Sequence, residues 1–186
     1  MVKLAFALLV LVFLALPAMA QDDYPRIEMS MGYANLGYPC CSGTVADIGD
    51  SSRHSGFFTT QSFNLNRMFG IENYFAYYGL GGKESLGSSV SMLSNIIGGK
   101  IAARTDRFTP YLSAGIGFGY LTDNASFGQS SFGTRLGPGV DVRINDSMAW
   151  KIDVTRMSFH QQFTAAGGSW SSGWNIATGV TFILSN

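Results

Sequence analysis

Cysteine is nearly missing from this chain. Cys40 and Cys41 are the only two in 186 residues, and they are adjacent. Neighbouring residues rarely reach the Cα separation that a disulfide prefers, so no disulfide framework holds the fold. A strained vicinal bridge and two free thiols in a loop both stay open. Charge is scarce too, at 13% of residues, against about 25% in an ordinary soluble domain. Twelve basic residues balance twelve acidic ones, which excludes the cationic footprint of a nucleic-acid binder. Two histidines, His54 and His160, are thin material for a metal centre. Beyond residue 20 no apolar run reaches the length of a membrane-spanning helix. A surface this poor in charge is also unlike one that must stay dissolved in water.

What is present begins with "MVKLAFALLVLVFLALPAMA". Lys3, an apolar run from Leu4 to Leu16, and Ala18-Met19-Ala20 have the pattern of a secretory signal peptide. Cleavage is expected after Ala20, dividing the chain into a signal peptide over 1–20 and one domain over 21–186. No cysteine follows the cleavage point to accept a lipid.

The domain is rich in glycine and aromatics, arranged with period two. In "PYLSAGIGFGYL" Leu112, Ala114, Ile116, Phe118 and Tyr120 alternate with Ser113, Gly115, Gly117 and Gly119. That is a strand with one bulky face and one nearly bare face. Eight such segments are predicted, at 26–35, 56–67, 70–79, 90–104, 110–121, 132–144, 149–159 and 173–184. The phase of the second and fourth is ambiguous, and a bulge is expected near Gly98-Gly99.

Charge within these strands falls on the small-residue face: Glu28, Glu72, Lys100, Arg135, Asp141, Arg143, Lys151 and Asp153 share that phase. A soluble sandwich would turn a polar, Lys-rich face to water. Bulky apolar residues opposite a cramped face with charges of both signs suit an inside-out cylinder in lipid. The connections alternate as well. Short links near 66–68, 105–107 and 145–147 separate longer ones at 36–55, 80–89, 122–131 and 160–172, the asymmetry of transmembrane barrels. Phe69, Phe108, Trp150 and Phe182 would form one aromatic girdle. Tyr33, Phe57, Tyr77, Tyr120, Phe159 and Trp174 would form the other. The fold class is therefore all-β, a closed eight-stranded antiparallel up-and-down transmembrane β-barrel.

At "FNLNRMFGIENYFAYYG" and "TPYLSAGIGFGYL", with "LGPGVDVRI" and its "NDSMAW" turn, the sequence resembles the small outer-membrane β-barrel family. This is the group similar to the transmembrane domain of outer membrane protein A. The resemblance spans roughly 26–184 and implies the outer membrane of a Gram-negative-type bacterium.

No chemistry stands out. The Gly-X-Gly-X-Gly of "AGIGFGYL" lies inside a strand with no helix after it, which excludes a dinucleotide loop. Ser158 near His160, and Ser55 beside His54, allow a lipid-modifying catalyst only without an obvious orienting carboxylate. The eight interior charges are read as a structural network, because an eight-stranded barrel has little lumen to spare. No catalytic residue, metal or other cofactor is expected. The function read from sequence is structural or surface-interacting, through loops 36–55 and 160–172. A narrow ion pore and an outer-membrane lipid-modifying enzyme are the alternatives. The partners expected are outer-membrane lipid or lipopolysaccharide and an extracellular ligand of those loops, with no nucleic acid, for a monomeric chain.

Overall fold

Alternation of side chains makes each strand two-faced, and eight two-faced strands can hide every ladder edge only by closing. A computed structural model describes residues 24–37, 53–81, 90–123, 128–161 and 168–185. The expected signal peptide and Cys40-Cys41 lie outside them. The strands are β1 (Ile27–Gly37), β2 (His54–Asn64), β3 (Phe69–Gly81), β4 (Val90–Ala102), β5 (Phe108–Asp123), β6 (Gly128–Asn145), β7 (Met148–Gln161) and β8 (Ser169–Ser185). Each pairs antiparallel with its neighbour in sequence, and β8 returns to β1 to close the barrel. Among the described residues no helix is long and apolar enough to cross a membrane. Strands do the crossing.

The bulky face is outside. Met31, Phe57, Phe63, Ile71, Ile97, Leu112, Ile116, Leu136 and Ile176 are exposed on the wall, whereas Ser30, Thr60, Glu72, Lys100, Asp153 and Thr155 are buried in the lumen. This is the reverse of a soluble core and requires hydrocarbon around the cylinder. It also settles the two ambiguous strands. In β2, Phe57, Thr59, Gln61 and Phe63 face out, while Phe58, Thr60, Ser62 and Asn64 face in. In β4, Leu93, Asn95, Ile97 and Ile101 face out, and Met92, Ser94, Ile96 and Lys100 face in.

Glycines let so small a barrel bend. Gly32 lies opposite Gly179 across β1 and β8, and Gly98 lies opposite Gly115 across β4 and β5. A Cβ on Gly32 would overlap the Thr178 carbonyl; on Gly98, that of Ala114; on Gly56, that of Tyr77; on Gly137, that of Val154. Sharp approach therefore occurs at every second seam: β8/β1, β2/β3, β4/β5 and β6/β7. Other glycines make room for large neighbours. Phe159 lies against Gly119 and Gly133, while Tyr111 and Asp153 fill the space beside Gly139.

Three expectations change. The ladder runs unshifted through Gly98 and Gly99, so no bulge forms there; the paired glycines bend the wall instead. Phe159 is buried in the lumen and belongs to no girdle, because β7 keeps its alternation to the end. The third long connection shrinks to 124–127, since "GQSS" extends β6 and pairs with β5 from Gly128 onward. Its loop-like composition is overridden by ladder hydrogen bonds to β5.

Candidate functional site: the charge-compensated lumen

Residues of one phase on eight strands converge on the lumen, and the half nearer the short turns collects the charges. Lys100 Nζ lies 3.3 Å from Glu28 Oε2 and 3.2 Å from Asp141 Oδ2. Lys151 Nζ reaches Asp141 Oδ1 at 3.4 Å and Glu72 Oε2 at 3.9 Å. It donates a hydrogen bond to the Tyr111 hydroxyl at 2.7 Å. Arg135 spans two acids, donating from Nη1 to Glu72 Oε1 at 2.8 Å and from Nη2 to Asp153 Oδ2 at 3.1 Å. Its Nη1 also donates to Ser113 Oγ at 3.1 Å.

Aromatic rings support the cations. Both lysine ammoniums lie 4.3 Å from the centre of the Tyr111 ring, and the Arg135 guanidinium lies 4.2 Å from that of Tyr74. Tyr111 donates its hydroxyl to Asp153. At mid-height the Tyr74 and Tyr78 hydroxyls are 3.0 Å apart, and Asn175 bonds to both at 3.1 and 2.9 Å. Above this polar trio the filling turns apolar, with Leu36, Phe58, Leu80, Met92, Leu121, Met157 and Phe159 all buried.

Of the residues expected in the lumen, Glu28, Glu72, Lys100, Arg135, Asp141, Lys151 and Asp153 come together and are buried. Arg143 does not join them. It stays exposed where the lumen widens into a mouth cavity of about 390 Å³, also lined by Tyr24, Arg67, Arg104, Asp106 and Asp141. Glu28, Glu72, Asp141 and Asp153 leave Lys100, Arg135 and Lys151 one cation short, and Arg104 supplies it. Arg104 Nη2 stands 4.0 Å from Glu28, and its side chain is only 9% exposed. Burial pulls the Arg104 guanidinium below its ordinary value. Its signal was in the sequence, since residue 104 continues the phase of Lys100 past the end of β4. Tyr111 shares the phase of Ser113, and Tyr74 and Tyr78 share that of Glu72.

Between Glu72, Ser113 and Arg135 lies a void of about 10 Å³, room for about one water. The two histidines sit within strands, not in loops. His54 opens β2 and is buried; His160 lies in β7, its ring 5.3 Å from that of Trp170. Among the described residues no group of three His, Cys, Asp or Glu side chains could hold a metal ion.

Three solved barrels share this architecture. Neisserial surface protein A superposes with a TM-score of 0.65 at 10% identity, covering 85% of this chain and 97% of that one. OprG of Pseudomonas aeruginosa gives 0.55 at 16%, covering 84% and 94%. Ail, the attachment invasion locus protein of Yersinia pestis, gives 0.54 at 18%, covering 84% and 97%. Such identities speak for fold alone. No curated protein matches the sequence. The family model described as "Outer membrane protein beta-barrel domain" matches residues 6–182, and with the closed eight-stranded wall it follows that the chain belongs to the outer-membrane β-barrel family.

Proposed function

We propose that the protein is a monomeric bacterial outer-membrane barrel with a closed lumen, acting as a structural or surface-interaction element through its extracellular loops. It performs no catalysis and conducts no solute. In this reading residues 1–20 direct export and are removed, and residues 21–186 form the barrel domain. The short turns lie in the periplasm, and the connections within 36–55 and 160–172, shortened by β1, β2, β7 and β8, face outside. The interior charges are structural.

The observation that carries this reading is the filling of the lumen. An ion-paired layer around Arg135 and an apolar layer around Phe58 and Phe159 are stacked along one axis, both buried. An eight-stranded barrel holds just enough space for such side chains. With the inside occupied, what remains to act is the loops. Ail was solved with the heparin analogue sucrose octasulfate, but a polyanion suits this chain poorly. Across 36–55 the sequence carries Asp47 and Asp50 against the single base Arg53, beside His54, and across 160–172 His160 is the one titratable side chain. With so little net charge on either loop, the loop ligand is accordingly a neutral surface.

Planar bilayers test the closed lumen. Folded protein should give no unitary current, and steps that change with Glu72→Gln would overturn the reading. Orientation is tested separately by labelling Ala166→Cys, in a Cys40→Ser, Cys41→Ser background, with a membrane-impermeant maleimide on intact cells. Labelling is expected without permeabilisation.

A further inference from the structure

Strand alternation sends almost every charge inward. Among the described strand residues, Arg156 is the one formally charged side chain on the outer wall. Its neighbours in β7 confirm the direction, since Thr155 and Met157 are buried while Arg156 is exposed. Across the ladder it sits between Leu136 of β6 and Trp174 of β8.

The surroundings of Arg156 are built in rows. One position nearer the loops on the same face, Thr134, Ser158 and Ser172 lie side by side across β6, β7 and β8. One position further, Phe132, His160 and Trp170 form the next row, and Trp170 packs edge-on against both Phe132 and His160. Arg156 Nη2 donates to Ser172 Oγ at 2.7 Å, which aims the guanidinium toward the hydroxyl row and away from the membrane centre. Trp170 and Trp174 flank the patch and are both more than half exposed.

Depth decides what this patch meets. Trp150, exposed near the short-turn end, marks the lower interface. Counting about 3.3 Å per residue and a tilt of about 40°, Arg156 stands about 15 Å above it, within an apolar band about 25 Å tall. That is the leaflet on the long-loop side. An Arg on the lipid face is costly in proportion to its depth, and it is relieved by snorkelling to a headgroup that accepts its hydrogen bonds. Phosphate matches the planar fork of a guanidinium. Three hydroxyls spaced about 4.8 Å apart give a further row of donors for a sugar or phosphate. Below them Leu136, Val154 and Ile176 offer apolar wall to acyl chains.

We propose that the outer wall of β6–β8 is a docking site for a phosphorylated glycolipid of the outer leaflet. Arg156 takes a phosphate, the Thr134–Ser158–Ser172 row bonds the headgroup, and Trp170 and Trp174 bracket it. This rests on the reading that the long-loop end faces outward, which the Ala166→Cys labelling reads independently. Failure of lipid binding alone therefore rejects the site and leaves the orientation standing.

The test uses the full mature chain folded in neutral micelles. Its tryptophan fluorescence is titrated with bisphosphorylated lipid A, with the same lipid dephosphorylated, and with phosphatidylglycerol. Variants are compared after isolating the form whose gel migration shifts on boiling, so that only folded protein is read. Saturable binding of lipid A is expected. The dephosphorylated lipid, or Arg156→Ala, should weaken it about tenfold, the scale of one lost charge-assisted contact. Arg156→Lys should fall between, keeping the charge without the fork. The triple change Thr134→Ala, Ser158→Ala, Ser172→Ala should also weaken binding. Equal affinity of wild type and Arg156→Ala, or of the phosphorylated and dephosphorylated lipids, would overturn the site. Binding of phosphatidylglycerol as tight as that of lipid A would overturn the assignment to a glycolipid.

Discussion

Arg135 holds two carboxylates, as Lys100 and Lys151 do, and it alone adds a hydrogen bond to Ser113 and the face of Tyr74, so its loss should be costly. Replacing it by Met leaves Glu72 and Asp153 without their shared cation in a tightly filled lumen. Breaking a buried pair on one side costs about 3–5 kcal/mol, whereas removing both partners can be nearly neutral. Arg135→Met should therefore lower the urea midpoint in lipid vesicles by an amount of that order. Adding Glu72→Gln and Asp153→Asn should recover most of it. A single variant as stable as wild type would mean that the pairs contribute little. At this scale the sequence tells direction better than partnership. Alternation alone sends Glu72 and Asp153 inward, because one position decides one face. It is silent on which cation each one meets, since that depends on the stagger of strands distant in sequence, as with Glu28 and Lys100 on β1 and β4. The exposure of Arg143 was equally hidden, because it depends on where the lumen opens, not on the phase of β6.

Strands curl here because glycine lets one backbone press against the next. Gly98 and Gly99 are neighbours with opposite requirements. A side chain on Gly98 meets the Ala114 carbonyl and the Gly115 Cα, both backbone atoms that cannot swing aside. A side chain on Gly99 meets nothing within 4 Å. Gly98→Val should thus destabilise the barrel by about 1–3 kcal/mol, the usual cost of overpacking, and reduce the heat-modifiable fraction on refolding. Gly99→Val should be neutral or mildly stabilising, because a β-branched residue suits an exposed strand surface. Equal effects at the two positions would show that the close seam is not what glycine provides. Strand number, order and the facing of all but β2 and β4 were legible from period-two patterning, which most strands display locally. The ends of β5 and β6 were not. Gly128-Gln129-Ser130-Ser131 has loop composition, and only pairing with β5, and from Phe132 with β7, makes it strand.

Across the whole molecule the lumen has two fillings in series: ion pairs toward the short turns and apolar side chains toward the long loops. A solute would have to pass both, so opening either alone should leave the barrel closed. Removing Glu72, Arg135 and Asp153 together as Ala would create a polar cavity still capped by Phe58, Met92, Leu121 and Phe159. Replacing Phe58 and Phe159 by Ala would thin the cap above an intact layer of ion pairs and Tyr111. Neither variant should conduct in a planar bilayer, while their combination should. The double seal also separates stability from silence. The charged variant should lose urea resistance without gaining current, whereas a narrow pore gated by its ion pairs would gain current first. Conductance appearing in the Glu72, Arg135, Asp153 variant alone would mean that the apolar cap yields in the membrane, and with it the argument that only the loops and the outer wall are left to act.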